Sequence, residues 1–141
     1  MHSSSMSRIL AIDCGKKRTG LAVSDPLGMI ATGLATVETH ALIPYLKKYL
    51  EHEEVNRFVV GKPMNLDGSR TDGNRWVDQC LHSLQKHFSH IPVTLLDERF
   101  TSQIASKTLI DSGLKKEARK DKALLDEVSA TLLLQDYLRN S

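Results

Sequence analysis

Residues 8–24 read RILAIDCGKKRTGLAVS. The first six form an apolar run that ends in the carboxylate of Asp13, and 20–24 form a second short apolar run beyond the loop 14–19. Apolar runs of this length, split by a loop rich in glycine and lysine, read as two strands joined tightly. The turn Asp25-Pro26-Leu27-Gly28 then leads into 29–37, which alternates less cleanly but carries Ile30, Thr32, Thr36 and Val37, residues that suit a third strand. The opening third of the chain is therefore expected to be an antiparallel meander.

Downstream the period changes. In 41–53, Leu42, Leu46, Tyr49 and Leu50 recur at helical spacing with lysines and glutamates between them. A buried strand is expected at 57–61, then a turn-rich loop at 62–72 containing Asn65 and Asp67-Gly68. A second helix over 74–88 places Trp76, Val77, Cys80, Leu81 and Leu84 on one stripe, and a fifth strand follows at 92–96. Thr101 suits the N-cap of a helix over 102–112 that Gly113 stops, and 124–138 repeats apolar residues at helical spacing. The order βββαβαβαα predicts an α/β fold, a mixed five-stranded sheet with helices on both faces.

A chain of 141 residues, 40% hydrophobic and 26% charged, is the size of one domain with one core. That domain is expected over 6–141, with 1–5 a leader or tag. Apolar runs such as 58–61 and 132–134 fall far short of the ~20 residues that span a bilayer. No signal peptide is legible, and Cys14 and Cys80 are too few and too far apart for a disulfide framework, which suits a reducing cytoplasm. A net charge of +2 attracts a polyanion only weakly when spread evenly, so affinity for nucleic acid has to come from local clusters.

Three carboxylates fall at expected element boundaries: Asp13 at the end of the first strand, Glu98 after the fifth, and Asp126 at the start of the last helix. Hydrolysis of a phosphodiester near neutral pH needs an activated water and neutralisation of charge at phosphorus, which two divalent ions about 4 Å apart supply. Hard oxygen ligands hold such ions. Asp126 shares a helical face with Ser129, Ala130 and Leu133, small enough in part for that face to approach the sheet. Asp97 competes with Glu98 for the inward position, and Glu127 with Asp126.

Four ordered motifs resemble one family. They are Ala11-Ile12-Asp13-Cys14-Gly15 with Gly20-Leu21-Ala22-Val23, the stretch from Val60-Gly61-Lys62-Pro63 through Asp67-Gly68, then Asp97-Glu98-Arg99-Phe100-Thr101-Ser102, and Asp126-Glu127-Val128-Ser129-Ala130. Together they are similar to the YqgF/RuvX proteins, described as Holliday junction resolvases and as nucleases maturing the ends of pre-16S ribosomal RNA. The resemblance implies a ribonuclease H-like fold related to RuvC-type resolvases, an acidic triad of Asp13, Glu98 and Asp126 acting as catalytic and metal-binding residues, and Mg²⁺ or Mn²⁺ as cofactor. Two positions depart from the RuvC-type pattern. Gly61-Lys62 stands where those enzymes keep a glutamate near the end of the fourth strand, and Ser129 where they carry a further aspartate.

The basic loop Lys16, Lys17 and Arg18 lies beside Asp13 and is a candidate for phosphate contacts, as are Arg70, Arg75 and Arg99. Lys115, Lys116, Arg119 and Lys120, within 107–122, suit a basic flap near a substrate groove. For Trp76 core packing outweighs base stacking, and His82, His87 and His90 fall where a helix exposes them. Partners are then ribosomal RNA precursor or branched DNA, with ribosomal particles and either a monomer or a homodimer open. Two other classes compete. The first motif also resembles the phosphate-binding hairpin of actin-like ATPases, which need two such domains where this length supplies one. A silent RNA-binding module would leave clustered carboxylates repelling one another without a metal.

Overall fold

The computed structural model describes residues 7–62, 74–97 and 122–140. Strands β1 (Arg8–Cys14), β2 (Arg18–Ser24) and β3 (Ala31–Glu38) form the expected meander, and a single 3₁₀ turn at Thr39–Ala41 leads into α1 (Leu42–Leu50). β4 (Val55–Lys62), α2 (Asn74–His87), β5 (Val93–Asp97) and α3 (Lys122–Asn140) complete the described elements. The sheet order is β3-β2-β1-β4-β5. β1 is antiparallel to β2 and parallel to β4, which is parallel to β5. The helix expected over 102–112, the basic flap and the leader at 1–5 lie outside the described residues.

Alternation along β1 divides the interior into two layers. Leu10, Ile12 and Cys14 face α1 and α2, where they join Leu21, Phe58, Val60, Leu42, Leu46, Val77 and Leu84. Ala11 faces the other way, with Ala22, Ala31 and Val59, against Ala130, Leu133 and Leu134 of α3. Ala11 pairs with Ala22, and Ala22 with Gly33. Three small residues in one row let α3 approach the sheet closely, and Ala130 is fully buried there.

A bulge explains why 29–37 alternates poorly. Leu21 pairs with Ala35 but Ala22 pairs with Gly33, so Leu34 is an extra residue in β3. The insertion changes the parity of the strand: Ala31 packs in the α3 layer, whereas Leu34 and Val37 pack in the other. The strand also starts later than expected. Met29 and Ile30 belong to the preceding turn, because the carboxylate of Asp25 accepts both of their amides, at 2.7 and 2.8 Å. Gly28, with φ +70°, closes that turn.

α1 is shorter than the 41–53 expected. Beyond Leu50 the amides of Glu51 and His52 bond back three residues, to Lys48 and Tyr49, tightening into a turn. Pro44 is accommodated in the first turn, where its missing N–H has no helical acceptor to lose. Among the described residues no helix is long and apolar enough to cross a membrane.

Candidate active site

Asp13 is the sixth of seven residues in β1, the central strand, and is half-buried. By alternation it lies on the α3 face, two residues beyond Ala11. Its antiparallel partner is Gly20. On the other side Ile12 pairs with Val60, so the next residue of the parallel strand, Gly61, comes level with Asp13. Neither neighbouring strand therefore places a side chain beside the carboxylate. Because β1, β4 and β5 are parallel, their carboxyl ends share one edge of the sheet, the usual place for a site in a sheet of this kind.

β5 ends at Asp97, level with Lys62 of β4. Thr94 and Leu96 take positions on the α3 side, where Thr94 accepts a hydrogen bond from Arg57 at 2.7 Å and Leu96 packs in the layer below α3. Glu98, the next residue of that parity in sequence, lies outside the described residues, as do Arg70, Arg99, Lys115, Lys116 and Arg119.

Asp126 is the fifth residue of α3, one turn before Ala130. Its side chain lies outside what the structure describes; Ser129, Ala130 and Leu133, expected to share its face, are all buried. A Cβ built on Gly33 would meet the Glu127 carboxylate, Oε1 at 2.3 Å, so that side chain lies directly over β3. Gly33 is two strands and two residue rows from Asp13, roughly 12 Å by sheet spacing. Among the described residues no three His, Cys, Asp or Glu side chains form a metal-sized group.

The basic loop is held by β3 and the 3₁₀ turn. Gly15 N–H donates to Arg18 O at 3.0 Å, closing a hairpin whose connecting residues are 15–17. β2 thus begins at Arg18, two residues before the run at 20–24 expected from sequence. Thr39 locks the hairpin from outside, its hydroxyl donating to Gly15 O at 2.7 Å and its amide to Lys17 O at 2.9 Å.

On the face opposite Asp13 the hairpin rims a groove of about 830 Å³. Its floor includes Cys14, Cys80 and Trp76, and Lys16, Lys17 and Arg18 stand along one wall. Trp76 packs against the core, as expected, but is only half-buried and also lines the groove. The Lys16 ammonium lies 5.7 Å from its ring centroid and the Arg75 guanidinium 5.8 Å. His82, His87 and His90 are exposed, as expected.

Cys14 and Cys80 are buried free thiols that hydrogen-bond each other. That contact and burial push the Cys80 thiol far up, while the hydrogen bond from Cys80 holds Cys14 below its ordinary value against the opposing pull of burial. The glycines flanking Asp13 and the groove behind it were missed in the sequence. The glycines are plain to read, but their meaning depends on strand register.

This sheet order and the helix packing define a ribonuclease H-like fold. RuvC from T. thermophilus, solved in complex with a Holliday junction substrate, superposes with a TM-score of 0.59 at 17% identity, covering 96% of each chain. A second Thermus thermophilus RuvC structure gives 0.56 at 16%, covering 94% of this chain and 96% of that one.

The chain belongs to the RuvX family, described as Holliday junction resolvase, whose model matches residues 7–140. It is a member of a family of nuclease-type hydrolases. A relative from Phocaeicola vulgatus, named "Putative pre-16S rRNA nuclease", is 50% identical over 96% of this chain and 97% of its own length. One from Porphyromonas gingivalis with the same name is 48% identical over 96% and 98%.

Proposed function

We propose that this protein is a divalent-metal-dependent endonuclease that processes precursor 16S ribosomal RNA in the cytoplasm, as a single domain. The observation that carries the reading is the setting of Asp13: a carboxylate on the central strand, at the edge where three parallel strands end, with glycine on both sides. The substrate class comes from the names of relatives close to half identical over nearly their whole length.

Carboxylate oxygens are the donors that Mg²⁺ and Mn²⁺ take. Asp13, Glu98 and Asp126 would hold the metal, with Asp13 the central ligand because it alone stands on the central strand. A divalent ion held there would supply water activation and charge neutralisation at the phosphodiester. Glycine at 20 and 61 keeps neighbouring-strand side chains away from the Asp13 carboxylate. Lys16 and Lys17 hold the flanking backbone, and Arg75 adds a cation at the start of α2. Products with 5′ phosphates are expected.

The test is cleavage of labelled precursor ribosomal RNA and of a four-way DNA junction, with Mg²⁺ or Mn²⁺, by the wild type and Asp13→Asn. RNA cleavage that the substitution abolishes supports the proposal. Paired symmetric cuts in the junction without RNA cleavage would replace it with a resolvase, which needs a symmetric dimer. RNA cleavage that survives Asp13→Asn would remove Asp13 from the site.

A further inference from the structure

The groove behind the hairpin is not part of the Asp13 face, yet the same three-residue connection serves both. Asp13 and Cys14 are consecutive in β1, so they point to opposite faces of the sheet: Asp13 towards α3, Cys14 into the groove. Lys16 and Lys17 sit at the tip between them, both exposed. A strand whose phosphate reaches Asp13 can turn over this tip within the reach of three residues, at most about 11 Å of chain.

The lining has the chemistry of a nucleotide. A volume of about 830 Å³ is far more than one phosphate fills and falls within the range of sites for drug-sized ligands. One wall is cationic and carries Lys16 and Lys17. The floor offers the half-buried indole of Trp76, and Gln79 and Ser83 supply polar groups beside it. Among the described residues the one acid on the rim is Glu38, which is paired with His40 at 2.6 Å. Lys16 now lies against the indole, but it is exposed and free to swing to a phosphate, and stacking of a base on an aromatic ring outweighs an exposed cation–π contact. A ring covered by a mobile cation next to a second lysine is a stacking platform with its phosphate contacts attached.

We infer that this groove binds the single-stranded flank of the nucleic-acid substrate, with a base against Trp76 and phosphates on Lys16 and Lys17. The inference rests on the nuclease reading of the Asp13 face, and it makes the substrate a strand with an unpaired extension rather than a blunt duplex.

Trp76 is the only tryptophan in the chain, so its fluorescence reports on the groove alone. The full-length protein is titrated with short single-stranded oligouridylate and oligothymidylate in the presence of a metal chelator, where no cleavage occurs, following both Trp76 emission and anisotropy of a labelled strand. Saturable quenching is expected, unchanged by Asp13→Asn. The double substitution Lys16→Ala, Lys17→Ala should flatten the dependence of log affinity on log salt by about 1.4, two phosphate contacts' worth for a single strand. Trp76→Leu should weaken anisotropy-detected binding roughly fivefold or more, and Trp76→Phe, which keeps a ring to stack on and to pack, should recover most of it.

Binding of both strands gives a general single-strand site, and binding of oligouridylate alone an RNA-selective one; either supports the inference. No quenching by any single strand, equal quenching by blunt duplex, or an unchanged salt slope in the double lysine variant would overturn it. Because chelator and Asp13→Asn remove cleavage but not this signal, failure of the groove and failure of the Asp13 assignment are separable.

Discussion

The hydroxyl of Thr39 donates to the carbonyl of Gly15 at 2.7 Å, across 24 residues of sequence. With the Thr39 amide on Lys17 O, it ties the end of β3 to the loop that follows Asp13. Thr39→Val keeps the shape and removes the hydroxyl. The expected cost is about 1 kcal/mol, read as a fall in Tm of roughly 2–4 °C for a chain of this size. Hydrogen exchange should show faster exchange at residues 15–18 without a change in the core strands.

Gly15 and Gly33 should respond unequally to alanine. A Cβ at Gly15 would lie 2.7 Å from the backbone oxygen of Arg18, which cannot move without opening the hairpin. Gly15→Ala is expected to destabilise by about 1–3 kcal/mol, as overpacking does. At Gly33 the obstacle is the end of the Glu127 side chain, which can swing aside. Gly33→Ala should therefore stay within about 1 kcal/mol of the wild type. Urea melts of both variants check the contrast.

Glu127 lies over β3, well away from Asp13. Glu127→Gln is thus expected to retain cleavage within a few-fold, whereas Asp126→Asn should abolish it. Loss of activity in the Glu127 variant, with the fold intact by circular dichroism, would transfer the assignment to Glu127.

Asp25 carries a pH dependence with a definite sign. The backbone amides of Ile30 and Met29 hold its carboxyl below the usual range. A group whose folded pKa is depressed contributes stability that is present above its unfolded pKa, about 3.9, and is lost as pH falls through the folded value. The wild type should lose Tm below about pH 4 more steeply than Asp25→Asn. Parallel curves for the two would show that the carboxylate does not hold the turn.

Phe58 is fully buried and meets Phe88 edge-on, ring centroids 5.7 Å apart. Phe58→Ala should cost about 3–5 kcal/mol, enough to leave a small domain marginal. Denaturant midpoints measured beside Phe58→Leu separate cavity formation from loss of the ring.

The meander, both amphipathic helices and the order of strands and helices along the chain are legible in the sequence because each rests on a local signal: short apolar runs for β1 and β2, a period of 3.6 for α1 and α2. What fails to show depends on pairing across the sheet. Nothing local marks Leu34 as an inserted residue, so 29–37 reads as a poor strand rather than two good halves out of phase. Asp25 takes Met29 and Ile30 out of β3 through side-chain bonds that propensity does not count. Asp13 is conspicuous as a carboxylate closing an apolar run, while the importance of Gly20 and Gly61 emerges only once β2 and β4 are laid beside it. The dual role of Trp76 is hidden for the same reason: its stripe on α2 announces packing, and the hairpin that turns its outer edge into a groove wall lies sixty residues away.

The inserted Leu34 also sets which kinds of genetic change the fold can absorb. Substitutions along β3 act on one layer at a time, since Ala31 and Val37 belong to different ones. A one-residue deletion between them is the change the strand can absorb: with Leu34 gone, Ala31 and Val37 would stand five residues apart, as Ser24 and Thr19 opposite them do, so the strands could pair without a bulge and both side chains would keep their layers. Loss of a second residue would reverse the parity and turn Val37 out beside the Thr39 contact that holds the hairpin, so the strand has one residue of slack and no more.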